Sequence, residues 1–397
     1  RNVRLIDGTG RGLSRSSDIL VAGGRIARIE PEGLIPRSQD TDEIDGEGRI
    51  VIPGLIDAHV HVWDQIILPE LLYEGITSIR DMGSSLPLTK GFQESITAGV
   101  QAGPRIVMGG LQLQPSLVPS PSQGNPDGID GYERVLSLAE AFELDFIKMY
   151  WVRNPLSGAK FVEMAHARGF PVSSHFGYPL PLVAAGIDSK EHVINLGRTV
   201  GPRFGGELYD DIVQLSKEGG VWIVPTIDMP YRYVAPYFEE LAFENARSSP
   251  FLNDRLDSYL PRARAPNVRQ NPSMTVPIEN VTRFWEAGVP LAAGTDYPFG
   301  WIPWMLHREL ERYVQAGMTP LEAIMSATRN AAGALKADKD IGTIEEGKLA
   351  DLIILDANPL EDIRNTRRIW KVIKGGVEID REALLNAISP AAQVSWH

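Results

Sequence analysis

The chain has 397 residues, more than one ordinary core organises, and accommodates a unit of about 250 residues with a smaller companion. Its hydrophobic fraction of 43% and charged fraction of 23% are those of a globular protein, and no apolar run approaches the roughly 20 residues of a membrane helix, so no membrane partner is expected. A formal charge of -12 would repel a phosphate backbone, so no nucleic acid is expected either, and the lack of cysteine excludes disulfides, thiolate catalysis and Cys-ligated zinc. Any metal must then be held by His, carboxylate or lysine-derived ligands. The first residue is Arg1, which fits a trimmed chain or removal of a signal peptide; cytoplasmic, secreted and periplasmic settings all stay open, with a leaning to the cytoplasm.

From Val3 to Ile52, short β-type runs such as DILVAGGRIARIEP alternate with Gly-rich turns and predict a small β domain. From Pro53 to about Ala337, apolar runs of strand length alternate with amphipathic stretches, the pattern of repeated β-α units. Eight runs can be placed: Gly54 to Val62, Ile76 to Gly83, Arg105 to Gly110, Phe146 to Tyr150, Pro171 to Phe176, Asp188 to Val193, Val221 to Thr226 and Pro290 to Asp296. Eight strands close a barrel, so the predicted fold class is α/β, a (β/α)8 TIM barrel over residues 54–340. The β character returns in GTIEEGKLADLIILD and WKVIKGGVEID, which predicts that residues 341–397 join residues 1–53 in a composite β-sandwich domain. Ile227 to Val276, with a helical-looking piece from Pro236 to Ala246, is the longest connection and is expected to be a lid over the barrel mouth.

Barrel enzymes carry their chemistry at the C-terminal ends of strands. His59 and His61 end the first run, Lys148 lies in the fourth, His175 in the fifth, His192 in the sixth, and Asp296 closes the eighth. Residues i and i+2 of a strand share a face, so His59 and His61 can share one ion. An isolated His-x-His is more often two ordinary polar residues, but here four of only seven histidines fall at strand ends. Of the others, His166 in FVEMAHARGF reads as a packed or surface helix residue, His307 follows the eighth run closely enough to face the site without being expected as a ligand, and His397 ends the chain.

An ammonium has no lone pair and cannot bind a cation, so Lys148 serves only if altered. Burial beside metal would favour its free amine, which can add carbon dioxide to form a carbamate with two oxygens able to bridge two ions. Two divalent ions bring four positive charges, which Asp296, a carbamate and a bridging hydroxide largely offset. The alternative is a barrel lysine paired with a carboxylate.

In these residues the chain resembles the amidohydrolase superfamily. PGLIDAHVH (Pro53 to His61), FIKMY around Lys148, His175 at its strand end, the Glu191-His192 pair and AGTD (Ala293 to Asp296) match the superfamily's metal motifs in order. SATRNAAGAL (Ser326 to Leu335) and GTIEEGKLADLIILDANPLEDI (Gly342 to Ile363) are similar to its last barrel helix and its return into the sheet domain. Lysine on the fourth strand and EH on the sixth resemble the imidazolonepropionase-like, prolidase-like (Xaa-Pro dipeptidase) branch. The resemblance implies a binuclear centre, usually zinc, with His59 and His61 on one ion, His175 and His192 on the other, and the Lys148 carbamate between them. It further implies attack by metal-activated hydroxide, with Asp296 as ligand and general base together. Two departures stand out: no glutamate lies three residues after His175, unlike the mononuclear deaminases, and VINLGRTVGPRFGG after His192 does not resemble the dipeptidase loop.

Trp63, Trp151, Trp301 and Trp304 follow ligand-bearing runs, joined by Tyr150, Tyr178, Tyr231, Tyr297 and Phe299. These rings suit an apolar or aromatic substrate group, with Trp63, Tyr150 and Tyr231 the named candidates, and suit loop packing equally. Arg153, Arg198, Arg203 and Arg232 could hold a substrate carboxylate, though each alone reads as a solvated or structural arginine. The expected activity is hydrolysis of an amide or peptide bond in a small molecule such as a dipeptide or N-acyl amino acid. Hydrolysis of a phosphotriester, lactone or aryl amide is the alternative, and a non-catalytic scaffold like the dihydropyrimidinase-like proteins is disfavoured because all six ligand positions are filled. A homo-oligomer is compatible with the sequence.

Overall fold

The computed structural model describes residues 1–110, 128–152, 155–177, 179–193, 208–228, 275–298 and 304–388. The first strands are β1 (Val3–Leu5), β2 (Ser16–Ala22), β3 (Arg25–Pro31) and β4 (Ile50–Pro53). Parallel strands then alternate with helices. β5 (Leu55–Val60), β6 (Ile76–Asp81) and β7 (Arg105–Met108) form one parallel sheet, separated in sequence by α1 (Ile67–Tyr73) and α2 (Leu86–Thr97). After α3 (Gly128–Ala141), β8 (Ile147–Val152), β9 (Val172–Gly177), β10 (Ser189–Glu191) and β11 (Trp222–Val224) form a second. Between them come α4 (Pro155–Ala167), α5 (Pro179–Ala184) and α6 (Asp210–Glu218).

The two parallel sheets meet on both sides. At one seam Asp145 N donates to Met108 O at 2.9 Å and the Asp145 carboxylate accepts from Met108 N at 2.7 Å. At the other, residues 291–297 thread between β11 and β5 through the parallel bridges Ile223↔Leu291 and Val60↔Tyr297. The eighth run, expected as a strand from Pro290 to Asp296, is therefore not a regular one. Its amides go to scattered acceptors: Thr295 N donates to Asp57 Oδ1 at 3.1 Å, and Ala292 N, Ala293 N and Asp296 N to the main-chain oxygens of Ile223, Ser326 and His59, in place of a continuous ladder.

Helices α7 (Thr275–Glu286), α8 (Met305–Gln315), α9 (Pro320–Ser326) and α10 (Arg329–Ala334) follow. Thr319 begins α9 with a capping box, its hydroxyl and the Glu322 side chain each satisfying a free helix-end amide of the other. The chain then returns as β12 (Leu352–Leu355), β13 (Ile369–Lys374) and β14 (Val377–Glu378), and ends its described part in α11 (Arg381–Ile388). These strands join the first four in a single hydrogen-bonded sheet of seven, ordered β14-β13-β12-β4-β1-β2-β3.

Period-two burial explains how that sheet sits. Across the antiparallel β4–β12 pair, Ile52 faces Ile353 and Ile50 faces Leu355, all four within the main core, while Val51 and Ile354 turn to a smaller core with Val3, Leu5 and Ile26. Gly75, at φ +83°, brings the turn before β6 onto this sheet, where an added Cβ would lie 2.7 Å from Ile353 Cδ1. Ile353 is fully buried at this junction. Ile353→Ala should therefore cost about 2–5 kcal/mol, read from the denaturant midpoint. A cost below about 0.5 kcal/mol, the usual range of surface substitutions, would show that the sheet does not pack on the main core.

Candidate metal centre

His59 and His61 leave the end of β5 beside Asp296, and their ligand atoms lie within 4.8 Å of one another, all three residues being buried. The backbone couples the two segments: Asp296 N donates to His59 O at 2.8 Å and His61 N to Tyr297 O at 2.7 Å. Asp57 secures the same junction, accepting from His59 N at 3.0 Å and from Thr295 Oγ1 at 2.6 Å. Burial lifts the Asp57 carboxyl to about 7 against these hydrogen bonds. Gly294 is required by proximity, since a Cβ there would stand 2.9 Å from His59 Cβ and 2.6 Å from Val224 Cγ1.

The partners of the histidines fix which nitrogen faces inward. His59 Nδ1 lies 2.7 Å from Glu191 Oε2, and His61 Nδ1 lies 2.9 Å from the Gly83 carbonyl, groups that accept only. Both Nδ1 atoms therefore carry protons. In the neutral ring the Nε2 lone pairs are left facing Asp296 Oδ1, at 3.3 Å and 3.2 Å. Three converging acceptors of this kind suit a cation.

His192 lies next to them. Its ring centroid is 4.6 Å from that of His59 and 4.3 Å from that of His175, the latter pair edge to face at 89°. Its Nδ1 meets Thr226 Oγ1 at 2.6 Å, and its Nε2 is buried with no hydrogen-bond partner among the described residues. Burial first, then neighbouring positive groups, hold His175 and His192 well below the usual imidazole range, so both are neutral. Lys148 Nζ is also buried and has no hydrogen-bond partner among the described residues, and burial lowers its amine to about 7, the pull of Glu191 offsetting only part of this. That environment is unlike the carboxylate-paired lysine of the alternative reading.

Glu191 links the whole arrangement. Besides His59 it accepts from Arg80 Nη2 at 2.8 Å, Ser173 Oγ at 2.7 Å and Ser189 Oγ at 2.9 Å. Burial raises its carboxyl, yet Arg80, Lys148 and His59 outweigh that and keep it well below the usual range. Three residues here, His192 (φ +63°), Thr226 (φ +47°) and Asp296 (φ +63°), hold left-handed backbone that non-glycine residues seldom adopt.

Of the six expected ligand residues, His59, His61 and Asp296 form one group, His192 lies against His59 and His175 against His192, and Lys148 is buried on β8. Among the aromatic candidates, the Trp63 ring lies 5.3 Å from His61 and is 46% exposed, and Tyr150 stacks on His175 at 4.4 Å and 11°. Two readings that the sequence left open are decided by the contacts. Tyr297 and Trp304 are not pocket rings: Tyr297 hydroxyl donates to Glu70, and Trp304 packs buried against His307 at 5.0 Å, because both sit where α1 and α8 meet. His307 does not face the site but bonds Thr366 and the Glu74 carbonyl at 2.9 Å each, and burial lowers it to about 3. His166 is on α4, 2.9 Å from Asp188, as a helix residue should be. Tyr178, Tyr231, Phe299, Trp301, Arg153, Arg198, Arg203, Arg232, His397, the side chain of Trp151 and nearly all of the expected lid lie outside the described residues. Arg80, Asp57, Thr226 and the supporting role of Glu191 were missed by sequence reasoning; a charged Arg80 inside the apolar run ITSIRDMG was the available signal.

Residues 50–379 match the Amidohydrolase family, and the chain belongs to that family. It lies in the imidazolonepropionase- and prolidase-like branch. An enamidase of Eubacterium barkeri is 31% identical over 41% of this chain, a stretch covering only 45% of that relative. An imidazolonepropionase of Klebsiella pneumoniae subsp. pneumoniae is 24% identical over 92% of this chain and 93% of its own length. The crystal structure of a Xaa-Pro dipeptidase with bound methionine superposes with a TM-score of 0.73 at 24% identity, covering 95% of this chain and 98% of that one, and so shares the fold.

Because Thr226 is the hydroxyl partner of His192 Nδ1, Thr226→Val should free the imidazole to rotate while keeping side-chain shape. Metal affinity is expected to fall about 10- to 100-fold, measured by competition with a chromophoric chelator. Unchanged affinity would show that the hydroxyl does not orient this ring.

Proposed function

We propose that the protein is a metal-dependent hydrolase cleaving an amide or peptide bond of a small substrate. The observation that carries this reading is the meeting of His59 Nε2, His61 Nε2 and Asp296 Oδ1 within 4.8 Å, beside buried Lys148 and His192 atoms with no hydrogen-bond partner among the described residues. The framework we propose is a closed (β/α)8 barrel over residues 54–340, supported by the bridges Val60↔Tyr297 and Ile223↔Leu291. Residues 1–53 with 341–397 would form the composite sheet domain beside it.

In this reading His59 and His61 hold one divalent ion and His175 and His192 a second, zinc being the expected metal. Bound metal supplies an acidic water near neutral pH and a Lewis acid for the substrate carbonyl. Lys148 would contribute as its carbamate: the neutral amine adds to the carbon of carbon dioxide, an N–C bond forms as one C=O π pair moves onto oxygen, and one amine proton leaves to solvent. The amine is suited to this because burial keeps it partly uncharged at neutral pH. Asp296, ionised, is the proton acceptor and returns that proton to the departing nitrogen. Trp63 and Tyr150, each against a site histidine, offer apolar faces to a substrate acyl or side-chain group.

Lys148→Ala tests the centre. The variant should stay folded by circular dichroism yet lose metal, measured by mass spectrometry, and lose activity toward the best substrate from a screen of dipeptides, N-acyl amino acids and aryl amides. Short carboxylic acids should restore part of both; full activity without them would overturn the carbamate.

The Asp296→Asn side chain keeps an oxygen but cannot accept the proton. We expect kcat to fall by at least about a hundredfold with KM changed much less, metal content being measured in parallel. A metal-replete variant retaining more than about a tenth of wild-type kcat would remove Asp296 from the general-base role.

A further inference from the structure

Two lysines are buried on nearby strands, and their surroundings differ. Lys148 Nζ on β8 meets no hydrogen-bond acceptor among the described residues. Lys190 on β10, only 3% exposed, donates to three main-chain carbonyls: Glu191 O at 3.0 Å, Ser174 O at 3.5 Å and His175 O. An ammonium has three donors and no acceptor, so this set satisfies it fully. Ser189 and Glu191 turn toward Arg80, and the alternation of a strand sends Lys190 to the opposite face of the sheet. A charge enclosed there is costly unless paired, and an apolar side chain would fill the position without that cost. What lysine adds at this position is therefore its donors.

The acceptors lie where the strand pairing ends. β9 and β10 are paired up to Lys190↔Ser174. His175 and Glu191 come next on their strands, and His192 then turns away at φ +63°. We propose that Lys190 is a positioning residue of the metal centre: by joining the His175 and Glu191 carbonyls beyond the last paired residues, it fixes the separation of the His175 and His192 imidazoles. Those rings stand 4.3 Å apart, and a slip of one strand end against the other would part them. The proposal rests on the metal reading of the site.

The test is titration of the metal-free full chain with Co2+, followed by visible absorption, which separates the two sites by their spectra. Wild type should take up two ions. Lys190→Met, of similar length but without donors, should bind the first ion within about threefold of wild type and the second at least about tenfold more weakly, with an altered second-site spectrum. Lys190→Arg, which keeps donors, should restore second-site affinity to within about threefold. Second-site binding by Lys190→Met within threefold of wild type overturns the proposal, as does equal weakening of both sites. Uptake of one ion only by the wild type overturns the binuclear reading itself, and the role of Lys190 with it. Should Lys190→Met not fold, Lys190→Gln, whose shorter chain and two donors cannot join all three carbonyls, is expected to weaken the second site in the same way and is judged by the same limits. Failure of both to fold, with Lys190→Arg normal, assigns the lysine to the fold at large and overturns the proposal.

Discussion

The Glu191 carboxylate is buried completely, and the rest of the site depends on how that charge is satisfied. An unpaired carboxylate in such surroundings would protonate or unfold the region, so donors must surround it. They come from four different strands: His59 from β5, Arg80 from β6, Ser173 from β9 and Ser189 from β10. One anion thereby ties together strands from both parallel sheets. It also decides the protonated nitrogen of His59, and so directs the other lone pair toward Asp296. The electrostatic need of a supporting residue thus sets the chemistry of the residue it supports.

Backbone strain is concentrated at the same place. His192, Thr226 and Asp296 hold positive φ, each at a cost on the order of 1–3 kcal/mol, and each is held by a hydrogen bond from its own segment. Asp296 N donates to His59 O, His192 N to Val224 O, and Ile227 N, next to Thr226, to the Glu309 carboxyl. Burial and the nearby Asp228 push Glu309 well above the usual carboxyl range, so it is neutral, while Asp228 is paired with Arg308 and Arg312 at 3.2 Å and 3.0 Å. Helix α8 therefore supports the end of β11, which in turn orients His192. The strands give up regular pairing at their ends, and side chains take over the hydrogen bonds.

The candidate ligands were legible because their residue types are scarce and chemically distinct. A His-x-His at a strand end, a lysine inside FIKMY and an aspartate closing AGTD have few roles in an apolar run. Their supports were not legible. Thr226, Ser173, Ser189 and Asp57 are common residue types whose importance lies in what they face, and nothing in a linear pattern says that Arg80 reaches Glu191, 111 positions away. The same limit explains why the roles of Trp304 and Tyr297 stayed open. Trp304 and Tyr297 lie close to Asp296 in sequence, but the turn after Asp296 carries them to the contact with α1.

By itself the sequence determined the alternation of strands and helices and the two-residue rhythm that turns Ile353 one way and Ile354 the other, because these follow from local burial preference and side-chain direction. It also set the order of ligand-type residues along the chain. Tertiary structure alone decided that Thr295 in the eighth run gives its amide to Asp57, that Arg80 reaches Glu191, and which histidine nitrogens face inward. The physical reason is that each is a hydrogen-bond or charge-pairing choice between distant segments. Its energy depends on which partners folding brings within about 3 Å, and periodicity carries no record of distance in space.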